Sequence, residues 1–335
     1  ENALIKFGCL LQIAYGEAGA KVISASLNND STAENVGKII NGFFGFCDIR
    51  NFTDLTEVLQ AEVTQLVNTV ALHVHEAVAR NYGAPNKNIG DAFLLVWQPK
   101  GQASLKVVAD SALRAYLEIM LALRAAPQVQ SWERRAEVQR WRPGFGVRLG
   151  YGLHFGWAIE CAIGSHKKID ASYLSPHVNL ASRLEAATKQ YGTPLLMSGE
   201  IVNLMSERVR GLARLLDRVT LKGSEQPMDL YTYDVPPPAQ EPPAALDPAL
   251  DTDKFWDALP PAVSAEFRAA HREAVDQYLG GQDGLFADWR QARAALEQWP
   301  WDGPSAALAE FIRDNADADG GCPDWWAGYR PLHEK

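Results

Sequence analysis

Cysteine is scarce in this chain, with four residues in 335, and the four lie far apart. They are Cys9, Cys47, Cys161 and Cys322. Without a CxxC pair, the sequence indicates neither a zinc site nor a disulfide framework, and we expect reduced thiols. The histidines of His73-Val-His75-Glu76 lack the HExxH spacing that places two zinc ligands on one face of a helix.

An excess of basic residues and long apolar runs are also lacking. The formal net charge is −9, so no basic surface for DNA or RNA is indicated and we expect no nucleic-acid partner. No run of roughly 18 or more apolar residues is present that could span a bilayer. The chain opens with Glu1 rather than Met and has no signal-peptide pattern. We therefore expect a cytoplasmic protein, or the cytosolic part of a membrane-associated one.

Proline marks the clearest boundary, because residues 236–250 begin with a proline-rich run that predicts a stiff linker. Residues 1–35 predict a connector interrupted by glycines. Residues 36–235 interleave strand and helix patterns, which is typical of a sheet domain with helices packed on it. Residues 251–335 hold six of the ten tryptophans and short helical periods, so we expect a small helical extension there.

Two acids stand beside predicted strands. Asp48 ends an apolar run, and Asp91 follows Gly90 and precedes another strand pattern. Mg²⁺ prefers hard oxygen ligands and is typically held by one or two carboxylates together with substrate phosphates. The pair therefore suggests nucleotide chemistry, although an Asp at a strand end is more often a turn former or helix cap.

Two helical patterns add candidate anion sites. Apolar residues recur from Leu55 to Ala77, which predicts one long helix capped by Thr53 or Asp54. Free amides at such a helix start attract phosphate, so Phe52 and Thr53 are well placed to meet a triphosphate.

A second helix pattern starts at Ser175-Pro176 and runs to Gly192. It places Asn179 and Arg183 on one face, where an amide and a guanidinium together suit an oxyanion. The alternative is an exposed, solvated face. The strand pattern before it, residues 145–155, alternates bulky residues with glycines, which we expect to allow close packing under a helix.

Three ordered motifs carry a family resemblance that covers about Gly42 to Val235. They are Phe44-Gly-Phe-Cys-Asp-Ile-Arg-Asn-Phe-Thr53, Lys87-Asn-Ile-Gly-Asp91 and Val178-Asn-Leu-Ala-Ser-Arg183. In this order they resemble the class III nucleotidyl cyclases. The resemblance implies an α+β fold with a ferredoxin-like sheet and helices packed on it, followed here by a small all-α appendage that resembles tetratricopeptide helices. It also implies an upstream membrane or regulatory domain, and we expect the C-terminal helices to pack on the domain or to bind a protein partner.

The resemblance implies roles for individual residues. Asp48, Asp91 and the backbone carbonyl of Ile49 would hold two Mg²⁺ or Mn²⁺ ions per active site. Arg183 would stabilise charge on the α-phosphate, and Asn179 would orient the ribose. Lys222, in Leu-Lys-Gly, matches the triphosphate-binding lysine. The acids of one subunit face the cations of the other in this family, so a homodimer is implied.

Lys87 and Ser172 match the two positions that read the purine. Adenine presents N1 as an acceptor whereas guanine presents N1–H as a donor, and a lysine has only donors, so Lys87 favours ATP. The hydroxyl of Ser172 can accept from adenine or donate to guanine. The resemblance therefore implies an adenylyl cyclase that makes 3',5'-cyclic AMP, with a guanylyl cyclase or a non-catalytic nucleotide-sensing or interaction module as alternatives.

Two departures from the family pattern stand out. Asn51 replaces a usual glycine, and Ser175-Pro176 replaces a usual Gly-Asp. Neither removes a chemical group, so we expect activity to survive.

Overall fold

The computed structural model describes most of the 335-residue chain. The described residues are 6, 37–101, 104–165, 168–222, 224, 226–235, 252–281 and 283–332. The expected connector, residues 1–35 apart from residue 6, and the expected linker, residues 236–250, lie outside them. The boundaries assigned to these two segments stay predictions.

The described residues form a mixed sheet with helices packed on it, which confirms the expected α+β fold. The strands are β1 (Lys38–Ile49), β2 (Ala84–Ile89), β3 (Ala92–Trp97), β4 (Leu149–Ser165), β5 (Lys168–Leu174), β6 (Leu195–Ser198), β7 (Arg214–Leu221), β8 (Met228–Thr232) and β9 (Arg330–Leu332). The helices are α1 (Phe52–Leu59), α2 (Val63–Arg80), α3 (Leu105–Ala125), α4 (Pro127–Glu133), α5 (Ala136–Trp141), α6 (Pro176–Tyr191), α7 (Gly199–Val202), α8 (Glu207–Leu212), α9 (Thr252–Ala258), α10 (Ala265–Leu279), α11 (Trp289–Leu296) and α12 (Gly303–Asn315). None of the helices in the described ranges has the length and apolar character needed to cross a bilayer.

The chain divides into two compact units, and strand β4 and helix α6 each contribute residues to both. The first unit consists of residues 1–148 and 154–181, and the second of residues 149–153 and 182–335.

In the first unit the strand order is β2-β3-β1-β4, and β5 pairs with β4. Strands β1 and β3 are antiparallel, in a register that runs from Phe43 opposite Trp97 to Asp48 opposite Ala92. Phe43, Phe93 and Trp97 are fully buried. Phe44, Leu94 and Val96 are buried on the other face of the same strands. Both faces are therefore packed, and this observed register places Asp48 at the end of β1, next to the start of β3.

The predicted continuous helix from Leu55 to Ala77 is wrong, because it is broken in the middle. Helix α1 ends at Leu59, a 3-10 turn spans Gln60–Glu62, and α2 starts afterwards. Gln60 has φ 50°, a value that an α-helix cannot contain. Helix α2 nevertheless has the expected apolar face, and it packs against the largely buried α3.

In the second unit the strand order is β4-β6-β8-β7-β9. Residues Tyr151 to Leu153 of β4 lie parallel to β6, and β9 lies parallel to β7. Helices α10, α11 and α12 share an apolar core with Leu215 of β7, and this core contains the fully buried Tyr278 and Trp289.

We call residues 252–332 the extension. Its four helices, α9 to α12, are present where a helical appendage was expected, and the structure adds a strand, β9, that the sequence did not predict. Strand β9 is three residues long with proline in the middle, so it has no alternation to detect. The extension therefore contributes both helices and a strand to the second unit.

One other element prediction differs from the structure. The strand expected over residues 145–155 starts at Leu149 and continues to Ser165.

Candidate active site

Asp48 and Asp91 lie at the same end of strands β1 and β3. Asp48 is opposite Ala92 in the register, so Asp91 is one residue from that pair. The amide of Ile49 donates to the carbonyl oxygen of Asp91 at 3.4 Å. Gly90, with φ 67°, makes the turn that precedes Asp91. The structure thus brings Asp48, Ile49 and Asp91 together.

The oxygens at this strand end are the kind that a hard divalent cation takes. Both residues are half-buried, and Oδ1 of Asp48 is itself a buried oxygen. In the part of the chain that the structure describes, no group of three or more His, Cys, Asp or Glu side chains could enclose a metal ion. Two carboxylates and a carbonyl are a partial set, which fits Mg²⁺ or Mn²⁺ completed by water and phosphate oxygens.

Asn51 sits in a left-handed conformation, φ 58° and ψ 32°, at the start of α1. Glycine adopts this conformation most easily and asparagine is among the few other residues that visit it routinely. The departure from the family's glycine therefore keeps the turn that follows Asp48.

Helix α1 begins at Phe52, so the cap predicted at Thr53 or Asp54 is wrong and the N-cap is Asn51. The asparagine side chain makes no cap hydrogen bond. The first-turn amides of Phe52 and Thr53 have no acceptor within the helix, as in any α-helix, and Thr53 is exposed.

Lys87 and Ser172 are brought together although 85 residues separate them. The Lys87 ammonium donates to the Ser172 hydroxyl oxygen at 3.4 Å, and both residues are half-buried. Lys87 lies on β2 immediately after an irregularity in the pairing with β3, and Ser172 lies on β5. A cation and a hydroxyl thus form one polar pair in the first unit.

Helix α6 carries Asn179, which is exposed, and Arg183, which is half-buried, one turn apart. The amide of His177 donates to the hydroxyl oxygen of Ser175 at 3.0 Å, and this hydroxyl donates to the carbonyl oxygen of Trp157 at 2.5 Å. The Ser175-Pro176 departure therefore supplies a side-chain bond at the start of the helix.

A pair of histidines joins β4 to the first turn of α6, and the sequence analysis did not identify it. The ring of His154 on β4 stacks on that of His177 with centroids 5.1 Å apart, and Nε2 of His154 is 2.8 Å from Nδ1 of His177. A Cβ at Gly156 would overlap the His177 ring, so this glycine permits the close packing. Burial, and then the neighbouring His177, lower the pKa of His154 to about 3.

In the second unit, Lys222 directly follows the last residue of β7 and is exposed. Arg183 also belongs to this unit. The two predicted phosphate-binding cations of this unit are therefore Arg183 on helix α6 and Lys222 at the end of strand β7.

The family model for the adenylate and guanylate cyclase catalytic domain matches residues 42–234. The chain is 28% identical over 189 residues to an adenylate cyclase of Anabaena cylindrica, which covers 56% of this chain and 35% of that protein. It is 28% identical over 187 residues to adenylate cyclase 1 of Rhizobium meliloti, covering 56% and 26%.

Among solved structures, the chain is similar to a bacterial light-regulated adenylyl cyclase. The identity is 24%, the TM-score is 0.52, and the match covers 69% of this chain and 61% of that one. The chain spans about a third or less of the length of the two curated relatives above.

Proposed function

Because this chain belongs to the adenylate and guanylate cyclase catalytic domain family, we propose that it is an adenylyl cyclase that converts ATP to 3',5'-cyclic AMP and pyrophosphate. The observation that carries the proposal is the polar pair of Lys87 and Ser172, in a chain that also brings the acids Asp48 and Asp91 together. A metal-binding acid pair and a purine-reading pair are the two parts that such a reaction needs.

Asp48, Asp91 and the carbonyl of Ile49 would hold two Mg²⁺ or Mn²⁺ ions. When bound, these ions supply Lewis-acid stabilisation of phosphate charge and lower the pKa of the ribose hydroxyl. The first-turn amides of Phe52 and Thr53 would donate to the triphosphate, since the start of α1 directly follows the acid at Asp48.

In the reaction, the ribose 3'-oxygen forms a bond to the α-phosphorus and releases its proton to solvent. The bond from the α-phosphorus to the oxygen shared with the β-phosphate breaks, and pyrophosphate leaves with the electron pair. Arg183 stabilises the negative charge that grows on the α-phosphate, and Asn179 hydrogen-bonds to the ribose and orients it. Lys222 pairs with the outer phosphates of the substrate.

Lys87 is the residue that selects the base. Its ammonium donates to N1 of adenine, whereas N1–H of guanine would oppose one donor with another. Ser172 accepts from the adenine amino group through a remaining lone pair while Lys87 holds its oxygen. The contact between the two side chains supports this division, because it holds the ammonium and the hydroxyl side by side, where one base could meet both.

We also propose that the active enzyme is a homodimer with two sites, each combining Asp48 and Asp91 of one protomer with the lysines, Asn179 and Arg183 of its partner. A single chain carries both sets of residues, so two copies can complete each other symmetrically.

The test is an assay of the purified chain with Mn²⁺ or Mg²⁺ and either ATP or GTP, with the cyclic product identified by mass. Asp48→Asn removes one carboxylate charge from the metal site and should abolish turnover. Asp54→Asn removes one from an exposed position on α1 and is the matched control. Cyclic GMP as the main product would make the chain a guanylyl cyclase, and no product from either nucleotide would point to a non-catalytic module.

A further inference from the structure

The C-terminal end of α6 is attached to the extension through a buried carboxylate in the second unit. Tyr191, the last residue of α6, is fully buried and its hydroxyl donates to Asp217 of β7 at 2.6 Å. Arg330 of β9 forms an ion pair with the same carboxylate, with Nε 2.7 Å from Oδ2. Its guanidinium also lies 5.0 Å from the centre of the Tyr191 ring. One side chain, Asp217, therefore joins the catalytic helix, the sheet and the extension.

A second contact joins the start of α12 to the end of α6. The first residue of α12 is Gly303, and a Cβ there would lie 2.6 Å from the carbonyl oxygen of Gly192 and 2.7 Å from that of Tyr191. No side chain fits at that distance, so the helix can begin there only with glycine. Asp302, the N-cap of α12, pairs with Arg214 of β7, with Oδ1 2.9 Å from Nη2. The start of α12 is thus held against the end of α6.

A third contact reaches the strand that precedes Lys222. Strand β9 lies parallel to the end of β7, in a register that runs from Val219 opposite Arg330 to Leu221 opposite Leu332. Lys222 is the next residue along the chain. The extension therefore contacts the helix that carries Arg183 and the strand that ends immediately before Lys222.

The chemistry of these contacts indicates that they fix the positions of the elements more than they add to the stability of the fold. Asp217 is completely buried and Arg330 is 8% exposed. The free energy needed to remove two charges from water is roughly equal to the free energy gained from their attraction. A buried ion pair therefore adds little stability compared with apolar residues of the same size. Its directional contacts do fix where each element lies, because a displaced partner leaves a buried charge unpaired.

We propose that the extension is a positioning element of the catalytic centre, which holds α6 and β7 so that Arg183 and Lys222 stay in place for the triphosphate. The inference rests on the proposed cyclase function and goes beyond it by giving the extension a role in catalysis. Tyr191, Asp217, Gly303 and Arg330 are positioning residues, since each acts through an element that carries a phosphate-binding cation.

The test compares two unlike perturbations of the attachment with one control. Gly303→Ala introduces a steric conflict with the end of α6 and removes no polar group. The double variant Asp217→Asn, Arg330→Met removes the ion pair without leaving an unpaired charge. Leu296→Ala removes apolar contacts from the core that the extension shares with Leu215 of β7, and it changes neither the ion pair nor Gly303.

The assay measures kcat and KM for ATP at a temperature where circular dichroism shows all variants folded. Both perturbations should lower kcat/KM on the order of 10- to 100-fold, mostly in kcat, because small displacements of groups that act on the transition state are costly. Amide hydrogen exchange should accelerate in the last turns of α6 and in β7. Leu296→Ala should stay within about twofold of wild type, since it displaces neither cation.

The outcomes are separable. A wild-type chain that makes no cyclic nucleotide refutes the proposed function and the positioning role with it. An active wild type with kcat and α6 exchange unchanged in Gly303→Ala overturns the positioning role alone. Should the double variant fail to fold, Gly303→Ala decides by itself. Equal losses in Leu296→Ala and in the perturbations would also overturn the inference, since the extension would then act only through stability.

Discussion

Acidification from pH 7 to pH 5 should destabilise the first unit through His154. The side chain is completely buried, and burial together with His177 lowers its pKa to about 3. In the unfolded chain a histidine has a pKa near 6.5. Between these two values the unfolded chain binds more protons than the native one, so stability is present above pH 6.5 and is lost as the pH falls.

The magnitude follows from the two pKa values. At pH 5 an unfolded histidine is almost fully protonated while the buried one is still neutral, and the linkage costs about 2 kcal/mol relative to pH 8. The figure at pH 5 is nearly the same for any native pKa below about 4, because the native side chain binds almost no protons there.

The assay is urea unfolding at pH 7 and pH 5 for wild type and His154→Gln. Glutamine does not titrate, so the variant should lose about 2 kcal/mol less than wild type over this interval, whatever its stability at pH 7. His271→Gln is the comparison variant. Burial also lowers the pKa of His271 to about 3, but this residue lies in the second unit, so the variant removes a similar pH dependence from that unit and not from the first. Equal pH slopes for wild type and His154→Gln would refute the reasoning.

Three further predictions follow from single side chains. Lys87→Glu replaces a donor by an acceptor, so kcat/KM for ATP should fall about 10- to 100-fold while that for GTP rises, as measured by product chromatography. Asn51→Ala should lower the free energy of unfolding by about 1–2 kcal/mol in urea titration because alanine resists a left-handed conformation, whereas Asn51→Gly should stay within about 1 kcal/mol of wild type. Arg214→Met leaves the buried carboxylate of Asp302 and the half-buried one of Asp234 without their cation and should cost about 3–5 kcal/mol, against about 0.5 kcal/mol or less for the more accessible Arg293→Met in calorimetry.

The sequence predicted the acid strands well because their signal is local. An apolar run that ends in Asp48, and a glycine before Asp91, are patterns that a short window contains. A local pattern is therefore sufficient to locate both strands in the sequence, although not their register. The interleaved strand and helix patterns indicate a sheet with helices packed on it in the same way, and the family resemblance supplied the α+β class.

The break at Gln60 was not predictable from periodicity, since apolar residues continue on both sides of it with nearly the same spacing. The attachment of the extension was not predictable either. Asp217 and Arg330 are more than 100 residues apart, and an isolated Arg or Asp in a sequence normally indicates an exposed residue. Only the folded chain shows that each is the other's partner.

The short strand β9 also limits how far the chain can be truncated from its C-terminal side without exposing the edge of the sheet. Strand β7 would otherwise be the last strand on its side of the sheet, and its unpaired backbone groups would be a template for another chain. β9 covers residues Val219 to Leu221 of this edge with a strand of only three residues that has proline at its centre, an arrangement that discourages further pairing there. A shortened chain that stops before Arg330 should therefore show concentration-dependent self-association, and expression designs for this domain should retain its last strand.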